Sequence, residues 1–513
     1  MNTALPLHGP EPIHKRLIVA VGLREAVVLG PNGTMERMPS RQAAKSLAGN
    51  AAPILCHAPS VARRLGIAPF PALDVLELFA FTRPATSCLP TPAGIAAALG
   101  EVRPTSLEEQ ALLLRNATEL LLTELGYFDV LTERDALVIA EAMRDGSWGW
   151  GAAVTQALSH LADPEGLTRP RRGLDVWIRL ASWSEYAPEP PPESHAVNPD
   201  EARTRLTELV GENAEPRPQQ SDYASAVCHA FAPRAAADTP NMVVAEAGTG
   251  VGKTLGYIAP ASLWAEKNGG AVWISTYTRN LQRQIDDELD RLHPDPSVKS
   301  RRVVIRKGRE NYLCLLNMEE AVGRVSNRPA SAIALGLVAR WAARTRNGDV
   351  AGGDFPNWLA DLVGFRDTLG LADRRGECIY SACAHYSKCF IERTVRQARR
   401  ADIVVANHAL VMTQSAMGGL DDGNIPTRLV FDEGHHVFDA ADSAFSAELG
   451  GRQGAELRHW LLGAEAGGRS RARGLARRLE DIAALDEAVG DALAKVLDAA
   501  WCLPSQGWIQ RIA

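Results

Sequence analysis

Apolar and polar residues follow different patterns in the first and second parts of the chain. Near the start, two short apolar runs at Arg16–Val21 and Glu25–Gly30 precede turn residues, and they predict a hairpin or meander. A third run at Pro53–His57 predicts another strand, and leucines at helical spacing over residues 107–145 predict helices. We therefore predict a small α/β domain with a helical extension over residues 1–185.

The second part contains five further apolar runs, which are separated by helical patterns. They are Met242–Ala245, Ala271–Thr276, Arg302–Arg306, Asp402–Ala406 and Leu429–Phe431. Such runs, when they alternate with helices, are typical of a parallel sheet that is covered on both faces. We predict an α/β lobe over residues 213–445, followed by a helical segment over 446–513.

A proline-rich and acidic segment separates the two parts. Residues 187–200 read APEPPPESHAVNPD, a composition that disfavours both a helix and a central strand, because proline lacks the backbone donor that each requires. We predict an interdomain linker over residues 186–212.

Composition narrows the class of protein. The chain has 513 residues, of which 46% are hydrophobic and 23% are charged, as in an ordinary globular protein of several domains. Its net charge of −6 means that any surface for nucleic acid must be local. We see no apolar run of about 18 residues and no signal peptide, so we predict a cytoplasmic protein without a membrane partner.

A glycine-rich loop follows the first of the five runs and leads into a predicted helix. Backbone N–H groups of such a loop surround phosphate, a lysine reaches the β- and γ-phosphates, and a hydroxyl binds Mg²⁺. Ala247 stands where the strict pattern has its first glycine. The predicted nucleotide-binding residues are Gly248, Thr249, Gly250, Val251, Gly252, Lys253 and Thr254.

Two consecutive carboxylates follow the fifth run. In a nucleotide site Asp432 would hold Mg²⁺, and Glu433 would orient and deprotonate the attacking water. Acidic residues also occur at strand ends as plain caps, but their combination with a phosphate loop favours a nucleotide site.

Arg217, Gln219 and Gln220 lie about thirty residues before the phosphate loop. A glutamine amide offers both an acceptor and donors, so this segment could recognise an adenine edge. A polar loop without that role is the alternative.

A basic stripe and three cysteines mark the region before the fourth run. Cys378, Cys383 and Cys389 lie within twelve residues, which suggests a metal or cluster site. Arg393 and Arg396, with Lys388, Arg399 and Arg400, follow on a predicted helix. This stripe either contacts DNA phosphates or forms a solvated helix face.

Taken in order, these segments resemble the first motor lobe of the superfamily 2 helicases related to XPD and DinG. RPQQ at 217–220 resembles the adenine-reading segment, and AEAGTGVGKT at 245–254 resembles motif I, where that family also carries alanine first. WISTYTRNLQRQI at 273–285 resembles motif Ia, and FDEGHH at 431–436 resembles the DEAH box. The resemblance implies a RecA-like lobe that uses ATP and Mg²⁺ on single-stranded DNA. The catalytic residues that it implies are Lys253, Asp432, Glu433 and His435.

The same resemblance extends to the cysteines. KGRENYLC at 307–314 and CIYSACAHYSKC at 378–389 resemble the segments that flank an iron–sulfur insertion, here at about residues 310–400. Four thiolates hold either a 4Fe–4S cluster or zinc, and the resemblance favours the cluster. The implied ligands are Cys314, Cys378, Cys383 and Cys389.

The first domain resembles, more distantly, a DnaQ-like 3′–5′ exonuclease. ILCHAPSVARRLG at 54–66 and LDVLELF at 73–79 lie where that family has two of its motifs. The first strand lacks the Asp-x-Glu pair that would hold two metal ions, so a degenerate nuclease domain is expected. Asp74 and Glu77 are then expected to be ordinary surface carboxylates.

The resemblance implies the N-terminal portion of a DinG-type helicase that moves 5′–3′ on DNA. Nothing after Glu433 resembles motif III or a second motor lobe, and residues 446–513 lie where a helical arch begins, so we expect a truncated product or part of a longer helicase. The chain alone should bind nucleotide but hydrolyse it poorly, until a second lobe is supplied in cis or in trans. The alternatives are a redox-sensing module that binds nucleotide and DNA without turnover, and a zinc-containing NTPase unrelated to DNA.

Overall fold

The computed structural model describes residues 13–47, 51–162, 173–187, 189–211, 215, 217–236, 239–248, 250–373, 378–416, 427–447, 450–463, 474–475 and 479–505. The chain divides into two units. Unit one comprises Met1–Ser184 and Gly308–Arg393, and unit two comprises Glu185–Lys307 and Thr394–Ala513.

Unit one begins with a five-stranded sheet in the order β3-β2-β1-β4-β5. Its strands are β1 (Ile18–Val21), β2 (Glu25–Leu29), β3 (Met35–Pro39), β4 (Ile54–Leu55) and β5 (Leu73–Asp74). The helices of this part are α1 (Ser40–Leu47), α2 (Ala58–Leu65), α3 (Val75–Thr82), α4 (Pro92–Leu99), α5 (Leu107–Leu125), α6 (Arg134–Asp145) and α7 (Gly151–Ala157). β1 and β2 pair antiparallel, as the hairpin pattern predicts, whereas β4 lies parallel to β1.

Asp74 is a structural residue of this sheet and not a surface carboxylate. Only 1% of Asp74 is exposed, and its Oδ1 accepts hydrogen bonds from the backbone N–H groups of His57 and Leu76, each at 3.1 Å. Its Oδ2 accepts a third, from Ala58, at 2.6 Å. The expectation of a surface role is therefore wrong for Asp74, because this carboxylate caps α3 and holds the start of α2.

The stretch from 308 to 393 belongs to the same unit, although we predicted an insertion of the motor lobe there. Its helices are α13 (Leu315–Gly323), α14 (Ser331–Ala342), α15 (Leu359–Val363) and the start of α16 (Phe390–Arg399). Arg340 of α14 is 3% exposed, donates from Nε to the Phe81 carbonyl at 2.9 Å and pairs with Glu133 at 2.5 Å. A buried cation with such partners ties α14 to the first part of the chain.

Unit two contains a four-stranded parallel sheet in the order β7-β8-β6-β9. Its strands are β6 (Val272–Thr276), β7 (Val303–Ile305), β8 (Ile403–Asn407) and β9 (Arg428–Phe431). The helices before β8 are α8 (Pro199–Val210), α9 (Pro218–Val227), α10 (Lys253–Asn268), α11 (Arg279–Leu292) and α12 (Pro296–Arg302). Those after it are α17 (His408–Ala416), α18 (Val437–Phe445), α19 (Gly451–Leu462), α20 (Glu480–Leu485) and α21 (Glu487–Ala500). The predicted α/β class with a parallel sheet is confirmed.

The first of the five predicted strands differs. Residues 242–245 lie outside the sheet, with Met242 80% exposed and Val244 90% exposed. A strand is stable only when its backbone groups find a paired neighbour, and in the described part of the chain the sheet ends at β9. An apolar run alone does not supply that neighbour.

Part of the predicted linker is a helix. α8 starts with a capping box, in which the Asn198 side chain accepts from the backbone and Glu201 accepts from the Asn198 N–H at 3.0 Å. Leu206 and Leu209 of α8 pack into the hydrophobic core beside α10. The last proline of the predicted linker, Pro199, is therefore the first residue of α8, and this helix belongs to unit two.

No helix in the described part of the chain is long and apolar enough to cross a membrane.

Glu77 gives a pH-dependent prediction. Its Oε2 accepts from Trp148 Nε1 at 2.8 Å, and burial, with the nearby charge of Asp74, raises the pKa of Glu77 from 4.5 to about 8. The folded state thus binds this proton more tightly than the unfolded state does. The resulting stability is present below pH 4.5 and is lost as the pH rises through about 8.

Glu77→Gln keeps an acceptor for Trp148 and removes the charge. We expect its melting temperature to exceed that of the wild type by several degrees at about pH 9, and to match it near pH 4.5. Glu36→Gln, at an exposed carboxylate of β3, is the control and should show no such trend. A difference that is constant across pH would contradict the assignment.

Candidate functional site

The carboxyl ends of β6, β8 and β9 lie at one edge of the parallel sheet. Ser275 of β6 is in register with Ala406 of β8 and Phe431 of β9. The next residues along the chain are polar, namely Thr276, Asn407 and Asp432. Ligands of open parallel sheets bind at this edge, so the register gathers the candidate chemistry in the place where such sites occur.

The phosphate loop enters α10 through two glycines in the left-handed region. Gly250 has φ 83° and Gly252, the N-cap of α10, has φ 88°. The positive φ favours glycine at position 252, and a Cβ atom there would lie 2.3 Å from Gln220 Nε2 and displace the Gln220 amide. Gly248 is exposed, Val251 is half-buried, and the predicted residue Thr249 lies outside the described residues.

Two of the three residues predicted to read adenine contact the phosphate loop. Arg217 Nη1 donates to the Gly250 carbonyl at 3.0 Å, and Gln220 Nε2 donates to the Gly252 carbonyl at 2.7 Å. Gln220 is buried, whereas Gln219 is exposed. In this structure the Gln220 amide nitrogen therefore holds the loop backbone, whereas Arg217 and Gln219 both lie at the surface.

Lys253 and the acidic strand end are in contact. Lys253 Nζ lies 3.1 Å from Glu433 Oε1, and Asp432 Oδ2 accepts from Thr276 Oγ1 at 3.2 Å. Thr254 follows Lys253 in the first turn of α10. The structure thus brings the phosphate loop together with both carboxylates, although Lys253 and Glu433 are 180 residues apart in sequence.

Asp432 and Glu433 occupy unusual environments. Burial raises the pKa of Asp432, and the charge of Glu433 raises it further, while the hydrogen bond from Thr276 opposes both. Glu433 adopts φ 54°, a left-handed conformation that is uncommon outside glycine. A bound divalent cation would relieve the repulsion between the two carboxylates.

His435 lies beside this pair but is largely exposed. Its Nδ1 is 3.6 Å from Glu433 Oε2. The neighbouring His436 stacks on Tyr277, with ring centroids 3.8 Å apart. Of the four predicted catalytic residues, His435 therefore makes the loosest contact.

The four predicted cluster ligands lie in unit one. Arg309 Nη2 donates to Cys378 Sγ at 2.8 Å, and burial raises the pKa of Cys314 to about 12 and that of Cys389 to about 11. Burial also raises the pKa of Cys383. Thiolates suit an iron–sulfur cluster. Within the described residues, however, no three histidine, cysteine or acidic side chains form a group that could hold a metal ion.

The predicted basic stripe is engaged within the chain. Arg393 donates to a backbone carbonyl at 2.6 Å, Arg396 pairs with Glu185 at 3.4 Å, and Arg400 pairs with Glu189 at 2.8 Å. These guanidinium groups thus face acidic or main-chain partners, and not bulk solvent alone.

Three further residues lie at the site, although the sequence patterns do not predict them as site residues. Ser275 and His408 are joined by a hydrogen bond of 2.7 Å, and Tyr257 is buried near Asp432, whose charge contributes to raising the Tyr257 pKa after burial itself. Polar residues at the ends of predicted strands were the available signal for Ser275 and His408. Tyr257 gave no signal, because a tyrosine in an apolar helix resembles ordinary core.

Comparison with known proteins supports the helicase resemblance, although no family model matches the chain. The chain is 31% identical over 248 residues to the ATP-dependent DNA helicase YoaA of Haemophilus influenzae, covering 46% of this chain and 36% of that protein. It is 32% identical over 254 residues to the ATP-dependent helicase DinG of Mycobacterium tuberculosis, covering 45% and 36%. It is also 32% identical over 220 residues to the 3′-5′ exonuclease DinG of Bacillus subtilis, covering 40% and 21%.

The matched part of the chain therefore spans about a third of the length of the first two relatives. The resemblance to DinG-type helicases that the motifs predict is confirmed.

The two glutamines give a test of the loop contact. Gln220→Ala should weaken the binding of ATP and GTP alike, by about tenfold, because the lost hydrogen bond holds the loop and not the base. Gln219→Ala is the matched control and should leave binding of the phosphates unchanged. Fluorescence titration with both nucleotides measures this. A selective loss of ATP binding in Gln220→Ala would instead support adenine reading.

Proposed function

We propose that this chain is the N-terminal portion of an ATP-dependent DNA helicase of the DinG type, which hydrolyses ATP as it moves 5′–3′ on single-stranded DNA in the cytoplasm. The curated relatives are named as ATP-dependent helicases, which supports the reaction class. The direction of movement rests on the family resemblance.

The contact between Lys253 and Glu433 carries this proposal. It joins a phosphate loop to an acidic strand end across 180 residues of sequence. An ion pair with a purely structural role would not need a glycine loop, a helix N-terminus or a second carboxylate beside it. Here the glycine loop, the N-terminus of α10 and the carboxylate of Asp432 all lie beside the ion pair, and these are the groups that bind phosphate and Mg²⁺ at the carboxyl edge of parallel sheets.

Each residue then has a distinct role. Lys253 would leave Glu433 and contact the β- and γ-phosphates, while the backbone of Gly250 and Gly252 surrounds them. Thr254 and Asp432 would hold Mg²⁺, which neutralises charge that develops on the phosphates. Glu433, once free of Lys253, would orient a water and accept its proton.

The proposal includes a second motor lobe, in cis or in trans, and this part of it rests on the family resemblance alone. Such a lobe would supply the charge stabilisation that related NTPases obtain from an arginine finger.

Nucleotide binding and turnover by the purified chain test the proposal. We expect binding of a fluorescent ATP analogue with Mg²⁺, slow hydrolysis and no unwinding by the chain alone. Lys253→Ala should lower the affinity at least about tenfold, because the phosphates lose their cation. Glu433→Gln should retain binding, since it releases Lys253. Lys267→Ala, in the last turn of the same helix, is the control.

Absence of nucleotide binding by the wild type would contradict the proposal. Strong DNA-stimulated hydrolysis with 5′–3′ unwinding by this chain would contradict the need for a second lobe.

We also propose that Cys314, Cys378, Cys383 and Cys389 hold a 4Fe–4S cluster, with zinc as the alternative. The support is their thiol chemistry and the family resemblance. Anaerobically purified protein should be brown, with about four irons and four sulfides per chain. Cys383→Ser should lose this absorption, whereas Cys502→Ser, at an exposed thiol, should retain it. A colourless sample that contains zinc would favour the alternative.

A further inference from the structure

His408 is a buried histidine at the edge of the sheet that holds the candidate site. It is the first residue of α17, directly after β8, and only 1% of it is exposed. Its Nδ1 lies 2.7 Å from Ser275 Oγ. Burying a polar ring costs desolvation free energy, so a histidine at such a position is expected to hold its neighbours in a specific arrangement.

Ser275 links this histidine to the acidic strand end. The Ser275 carbonyl accepts from the Asp432 backbone N–H at 2.8 Å, while its hydroxyl contacts His408. The adjacent Thr276 hydroxyl donates to the Asp432 carboxylate. Two consecutive residues of β6 therefore hold Asp432, and one of them is in turn held by His408.

The imidazole also lies directly against the turn that carries the carboxylates. The backbone of Asp432 and Glu433 borders the ring, and the ring centroid of Phe431 is 5.9 Å away. Burial lowers the pKa of His408. Glu433 has φ 54°, and a strained residue of this kind persists only when its surroundings hold it.

We propose that His408 is a positioning residue of the nucleotide site, which fixes Ser275 and the Asp432–Glu433 turn so that the two carboxylates face Mg²⁺ and the attacking water. This inference rests on the proposed nucleotide function. His408 itself touches neither phosphate nor metal. It acts on the residues that would do so, in the manner of outer-shell partners at metal sites.

The Mg²⁺ dependence of nucleotide binding tests this role apart from general stability. The affinity of the full chain for a fluorescent ATP analogue is measured in the presence of Mg²⁺ and, separately, in the presence of EDTA. With Mg²⁺ present, we expect His408→Leu to bind the analogue about tenfold or more weakly than the wild type does. With EDTA, the affinities of the two proteins should differ little. His408→Gln, which keeps a hydrogen-bonding group, should recover most of the lost affinity.

His293→Leu is the matched control. His293 is also partly buried, but it lies among Asp402, Arg302 and Glu266, at the edge where β8 begins. It should behave as the wild type. Should His408→Leu fail to fold, Ser275→Ala decides, because it removes the hydroxyl partner with little change of volume and should reduce the gain from Mg²⁺.

An unchanged gain from Mg²⁺ in His408→Leu, or in Ser275→Ala if that variant has to decide, would overturn the inference. The inference would also be overturned if His408→Leu and His408→Gln both lost equal amounts of nucleotide affinity with Mg²⁺ and with EDTA, because that result indicates a role in packing alone. If the wild type binds no nucleotide, the proposed function itself fails. If it binds with a gain from Mg²⁺ that His408 does not affect, only the inference fails.

Discussion

The parallel register of β6 with β8 and β9 is the constraint on which the candidate site depends. It places Ser275 opposite Ala406 and Phe431, so that the polar residues that follow each strand meet at one edge. A slip of one residue would turn every side chain of a strand to the opposite face. Asp432 would then lose Thr276, and Glu433 would no longer reach Lys253. Helix α10, whose N-terminus carries Lys253, packs on the same sheet.

The groups expected to bind a nucleotide are occupied by one another in this structure. Lys253 pairs with Glu433, Gln220 holds the Gly252 carbonyl and Arg217 holds that of Gly250. A bound phosphate would therefore compete with Glu433 for Lys253, while the contacts from Arg217 and Gln220 can persist beneath it. Ligand binding would thus release the proposed base at the same moment as it engages the proposed cation. The two events are coupled because Lys253 cannot pair fully with Glu433 and with a bound phosphate at the same time.

The first domain uses its carboxylates differently. Asp74 has both oxygens engaged by backbone N–H groups, and Glu77 accepts from Trp148 while burial favours its protonated form. Neither carboxylate is arranged as an open, solvated metal ligand. The same burial makes Glu77 a source of pH-dependent stability.

Local sequence was enough to predict helices such as α5 and α10 and the glycine-rich turn before α10, because spacing and turn chemistry are properties of neighbouring residues. It also predicted a strand that ends directly before Asp432 and Glu433, since an apolar run followed by two carboxylates is a local pattern. Pairing and desolvation are not local. Met242–Ala245 has the composition of a strand but is not part of the described sheet, and Met242 and Val244 are exposed. Helix α8 forms within a predicted linker because its leucines pack into a core. The burial of Asp74 and His408, and the use of Gln220 to hold the loop, likewise depend on residues far away in the chain, which only the folded structure brings into contact.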